Sequence, residues 1–124
     1  MKPHSVVVLL QRDAAIERSL VSALSHSFRF LHQVHSLTEL RNRISKYPSG
    51  VAIVDMERTS FSDVECLARD FPATSIVCTH RCADDAMWAA ALNAGALDVF
   101  SSSDIQGIVR AVLAGSAHAR AAAA

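Results

Sequence analysis

Short apolar runs and amphipathic stretches alternate five times along this chain, and that rhythm restricts the fold more than any other feature. The first run, residues 5–10 (SVVVLL), is β-branched and leucine-rich, with no polar alternation. Such a strand is buried on both faces, as in a parallel sheet covered by helices. Residues 14–26 follow with Ile16, Leu20, Ala23 and Leu24 at helical spacing. Residues 30–35 form a more polar second strand, suited to a sheet edge. Ser36 and Glu39 make a capping-box pattern for the next helix. Leu37, Leu40, Ile44 and Tyr47 supply its apolar stripe, and Pro48-Ser49-Gly50 breaks it. The third strand is Val51-Ala52-Ile53-Val54-Asp55.

A second capping-box pair, Ser62 with Glu65, opens a helix over residues 63–71, stopped by Pro72. Residues 74–79 (TSIVCT) read as the fourth strand. Residues 84–94 read as the fourth helix, with Gly95 at the favoured C-terminal position. Residues 97–101 make a short fifth strand. Ser103 with Gln106 is a third capping-box pair, for a helix through Leu113 or beyond. Alternating strands and helices with short connections predict an α/β fold with helices on both faces of a parallel sheet. In such sheets sites form beyond the carboxyl ends of the strands. Asp55, Thr79 and Ser101–Ser103 all map to that edge.

Length and charge narrow the function classes. The 124 residues suit one domain, over residues 1–115, with an alanine-rich tail or linker at 116–124 that could also extend the last helix. Acidic and basic residues balance at twelve each, so no broad field attracts nucleic acid or an anionic membrane. No apolar stretch reaches the ~20 residues that span a bilayer, and the start Met-Lys-Pro-His-Ser lacks a signal-peptide core. A cytoplasmic protein is the expectation. Three cysteines suggest no disulfide framework; Cys66 and Cys78 fall in helical and strand patterns, and Cys82 in a loop.

The pieces VVVLLQRDAAI, VAIVDME, SIVCTH and ALNAGALDVF, followed by IVRAVLAG, resemble in order and spacing the receiver domain of bacterial two-component response regulators. The resemblance spans roughly residues 5–115. It implies a flavodoxin-like, doubly wound five-stranded sheet, order 2-1-3-4-5, with five helices. It also implies that Asp55 stands where receivers accept a phosphoryl group from a histidine kinase, and that Thr79 matches the hydroxyl that binds the phosphoryl oxygens. The departures are substantial. Gln11 and Arg12 stand where the family has its magnesium-binding acidic pair, and Ser102 stands where it has a lysine. Val99 replaces the switch aromatic, and Arg58-Thr59 replaces a Met-Pro pair.

Phosphoryl transfer to a carboxylate needs cations to offset charge on the incoming oxygens. Exchanging two carboxylates for an amide and a guanidinium disfavours Mg²⁺, which is a hard ion held by oxygen ligands. The expectation is therefore a degenerate receiver. It is not an enzyme, needs no cofactor unless phosphorylation is retained with magnesium, and works by binding a protein partner such as a histidine kinase or an output domain. The chain stops where an output domain often begins, so a longer regulator is one possible parent. The alternative is a working phosphoacceptor with metal held by Asp13 or Glu57. A flavodoxin-like enzyme or nucleotide binder is a third class, disfavoured because no glycine-rich phosphate loop follows the first strand.

Individual residues carry open alternatives. Asp13 suits a helix cap as well as a metal site. Arg12 could be exposed, or its guanidinium could pair with Asp55 in place of the missing cations. Glu57 reads as a solvated loop acid that could otherwise take Arg12 or a metal. His80 is the one histidine expected at the site edge. The other five show no metal-ligand spacing, and His32 and His35 should face opposite sides of their strand. Of Met87 and Trp88, one should enter the core. The other, with Val99 and the last helix, could mark a docking or homodimer surface, or pack under the adjacent loop.

Overall fold

Branched residues that crowd a helix backbone fit a pleated strand, and here each branched run becomes one. The computed structural model describes residues 6–28, 30–48 and 50–123, with side chains described as far as Gly115. His4, the expected strand start at Ser5, and the side chain of His118 lie outside that set. The order is β1 (Val6–Leu10), α1 (Ala14–Leu24), β2 (Phe30–Val34), α2 (Leu37–Lys46), β3 (Val51–Asp55), α3 (Phe61–Asp70), β4 (Ser75–His80), α4 (Asp85–Ala94), β5 (Asp98–Ser101) and α5 (Ile105–Ala123). All strands pair in parallel, in the order β2-β1-β3-β4-β5. The fold class and strand order are those expected. The alanine-rich stretch continues α5 to Ala123.

Alternation along the buried strands divides the core in two. Val8, Leu10, Ala52, Val54, Ile76 and Cys78 pack with Leu40, Ile44, Val64 and Leu67 from α2 and α3, and with Ala91 from α4. Val7, Leu9, Ile53 and Val77 pack on the opposite face with Leu20 and Leu24 of α1 and Ile108 and Val112 of α5. Each such leucine or isoleucine, essentially inaccessible to water, contributes about 1.5–3 kcal/mol on burial. β2 is an edge strand with exposed Phe30 and Gln33, as its polarity implied. His32 stacks on Tyr47 with ring centroids 5.2 Å apart, while His35 reaches Glu17 of α1. The two histidines thus serve opposite faces.

The helix starts depart from the sequence reading in instructive ways. Ser36 caps α2 as expected, but Glu39 takes the backbone N–H of His35 at 3.3 Å rather than that of Ser36. The box that opens α3 is Ser60 with Asp63, not Ser62 with Glu65. Both pairs have the right spacing. The turn tied by the Thr59 hydroxyl to the Asp55 carbonyl (3.0 Å) brings Ser60 to the first helical turn. Similarly, Asp104 rather than Ser103 caps α5, accepting the Gly107 N–H at 3.1 Å. Tyr47 ends α2 and is exposed instead of joining its apolar stripe, because its ring covers His32. Gly95 ends α4 at φ 110°, where a side chain is strained, and a Cβ there would lie 2.6 Å from that of Ala68.

Candidate functional site

Asp55 closes β3 in register with Thr79 near the end of β4, and β1 delivers Gln11 and Arg12 beside them. The structure thus brings these four residues together. Their contacts differ from those expected. Asp55 is 1% exposed, and both carboxylate oxygens accept backbone N–H groups. Oδ2 takes the amide of Arg12 at 2.7 Å and Oδ1 takes that of Glu57 at 2.9 Å. Charge-assisted bonds of this kind are among the stronger ones available to a buried carboxylate. Of the two readings of Arg12, the exposed side chain holds and the guanidinium pair with Asp55 does not form. Arg12 turns its side chain outward, 61% exposed, because its main chain already occupies the space beside Asp55.

Gln11 is the second surprise. It is buried, and its Nε2 donates to the Thr79 hydroxyl at 2.7 Å. Thr79 is fully buried as well. The Gln11 amide thus holds the hydroxyl from the next strand but one. Ser102 is also buried, and its backbone N–H donates to the His80 carbonyl at 3.0 Å, stitching the end of β5 to that of β4. The His80 ring accepts the Cys82 N–H through Nδ1 at 2.9 Å, so this nitrogen serves the turn. Directly before Thr79, burial pushes the Cys78 thiol up to about 12.

Glu57 corrects the solvated-acid reading. Its side chain is only 12% exposed; Arg81 donates to it at 2.9 Å and the Arg12 guanidinium stands 3.8 Å away. Arg81 was missed in the sequence, although any residue following the fourth strand falls on the same rim. Asp13 caps α1, its Oδ1 accepting the N–H groups of Ala15 and Ile16 at 2.8 and 3.2 Å. Arg12, Asp13, Glu57 and Arg81 line a shallow cleft of about 410 Å³ above Asp55.

A magnesium ion requires near-octahedral oxygen coordination. Asp55 has both oxygens on backbone N–H groups, Asp13 and Glu57 have one oxygen each engaged, and two arginines share the cleft. Among the described residues no cluster of three or more histidine, cysteine or acidic side chains is placed to hold a metal.

A second concavity, of about 450 Å³, lies between α4 and the β5–α5 connection. Trp88 stands at its edge, 49% exposed, while its neighbour Met87 packs against the core. Val99, far from lying on the outer face, is buried beneath it. Among the described residues no helix is long and apolar enough to cross a membrane.

No family model matches the chain, and no curated protein matches its sequence. Solved structures do. A response regulator from Thermotoga maritima superposes with TM-score 0.80 at 14% identity, covering 91% of this chain and 98% of that one. The signal receiver domain of a LuxO repressor protein from Vibrio parahaemolyticus gives 0.79 at 13% identity, covering 92% and 91%. The signal receiver domain of the response regulator NarL from Mycobacterium tuberculosis gives 0.75 at 20% identity, covering 93% and 98%. The chain therefore has the fold of response-regulator receiver domains.

Proposed function

We propose that this chain is a receiver-fold signalling module that binds a protein partner, with an output independent of magnesium-assisted phosphorylation at Asp55. The observation that carries the reading is the closure of Asp55 by the backbone amides of Arg12 and Glu57, at 1% exposure. An incoming phosphoryl group would have to displace those bonds. It would then meet Gln11, Arg12 and Ser102 where the family holds its metal and its lysine. Two guanidiniums do stand at the rim, but both face Glu57 and solvent rather than the Asp55 oxygens. Charge stabilisation works only when the cations are already aimed where charge develops.

The test is intact-mass measurement after incubation with Mg²⁺ and a small phosphodonor. The expected result is no stoichiometric phosphoryl adduct. An adduct that forms in the native chain and disappears in Asp55→Ala would overturn the reading in favour of a working phosphoacceptor. In the reverse direction, Gln11→Asp, Arg12→Asp and Ser102→Lys together should restore measurable Mg²⁺ binding. No gain in metal affinity would count against the correspondence of these positions with the family's site.

A further inference from the structure

We infer that the groove between α4 and the start of α5 is a docking site for a cationic protein segment carrying an apolar anchor. This deepens the proposed function, on which it rests, by assigning the partner's chemistry. Ala83, Trp88, Val99 and Phe100 supply its apolar lining, beside the carboxylates of Asp84, Asp85 and Asp104. None of the lining residues is basic. Trp88 stands across the groove with its Nε1 donating to Asp98 at 3.0 Å, which fixes the ring and adds a fourth carboxylate behind it. A half-exposed tryptophan tethered in this way presents a π face at little further entropic cost.

The charge sum survives the local helix ends. Asp84 caps α4 and Asp104 caps α5, so two positive helix ends also face this region. Each is equivalent to about half an elementary charge, so four carboxylates leave roughly −3. In a chain whose formal net charge is zero, that is a segregated field. A lysine or arginine satisfies both features at once, its stem lying on Val99 and Phe100 and its head meeting the carboxylates and the indole face. A two-fold pairing of this groove with a second copy would set carboxylates against carboxylates. The homodimer that the sequence left open through this face is thereby disfavoured relative to a basic partner.

Trp88 is the only tryptophan in the chain, so it reports directly on its own groove. The probe is a short synthetic amphipathic helix of leucine and lysine, with a leucine–glutamate helix as control. Expected is a saturable change in Trp88 emission with the lysine peptide only, weakening as salt rises. The double variant Asp85→Asn/Asp104→Asn keeps a competent α5 cap and should bind about fivefold or more weakly. Glu65→Gln on α3 should bind as the native chain does.

No saturable change, equal response to the glutamate peptide, or undiminished binding by the double variant would overturn the proposal. A peptide-free, concentration-dependent dimer in sedimentation that shifts Trp88 emission would also overturn it, in favour of a second copy. The titration is repeated after incubation with Mg²⁺ and the phosphodonor. Equal binding in both arms supports groove and proposed function together. Binding seen only after the phosphodonor would keep the groove and sink the phosphorylation-independent reading.

Discussion

The Asp55 rim and the Trp88 groove both lie on the loop-bearing side of the sheet, yet they treat polar groups differently. At the rim each key polar group already has a partner: two amides on Asp55, an amide on the Thr79 hydroxyl, arginines on Glu57. At the groove Asp84, Asp98 and Asp104 accept local N–H bonds through Oδ1 alone, and the Trp88 ring is half exposed. A satisfied network in a dry setting resists incoming ligands because each new bond must first break an old one. A half-exposed ring faces no such exchange. On the proposed reading, the Asp55 site serves as a structural tie and the groove carries the binding.

Four substitutions or labelling experiments would break or sharpen that contrast. The largest effect is expected in thiol reactivity. Cys78 lies one residue before Thr79 and Cys82 one residue before the groove's Ala83. With its thiol pushed up to about 12, Cys78 near pH 8 carries a thiolate fraction of roughly one in ten thousand. Cys82 is exposed. Labelling with a disulfide reagent, followed by peptide mass mapping, should modify Cys82 at least about a thousandfold faster. Cys78 should react only at the rate of opening. Prompt labelling of Cys78 would mean that the core beneath the rim opens readily.

Next comes Asp55→Ala, which leaves the amides of Arg12 and Glu57 without their acceptor. A loss of about 2–4 kcal/mol in urea unfolding is expected, with Asp55→Asn costing less because one acceptor oxygen remains. A neutral or stabilising outcome would remove the structural role assigned to this carboxylate. Gln11→Ala should cost about 1–2 kcal/mol by abandoning the Thr79 hydroxyl in the interior. A double-mutant cycle with Thr79→Val should then show coupling on the order of 1 kcal/mol. The smallest effect belongs to Arg12→Ala. Its guanidinium is mostly exposed and 3.8 Å from Glu57, so stability should stay within about 0.5 kcal/mol of the native chain. A loss as large as that of Asp55→Ala would revive a direct role for the guanidinium.

Much of the fold was legible because it depends on local signals. Branched runs too apolar for a surface strand, a glycine after Ala94 and an acidic residue before Ala14 each act over a few residues. Boundaries were less so. Serines at positions 60, 62 and 103 are all competent caps, and only the turn held by Thr59 and the stronger claim of Asp104 select among them. At the site, the cast was legible and the pairing was not. Arg12 was read by its charged group, whereas its backbone amide makes the contact with Asp55.

The sequence by itself determined that five strands would alternate with five helices, and that Asp55, Thr79 and Ser101–Ser103 would share one edge. Apolar periodicity and chain order suffice for that, since the central strands must bury both faces and each connection must cross back over the sheet. Only the tertiary structure decided which atoms meet there. Hydrogen bonds form over ångströms between groups as far as 68 positions apart, as for Gln11 and Thr79. Whether a side chain or a main-chain amide fills the space depends on how the loops pack.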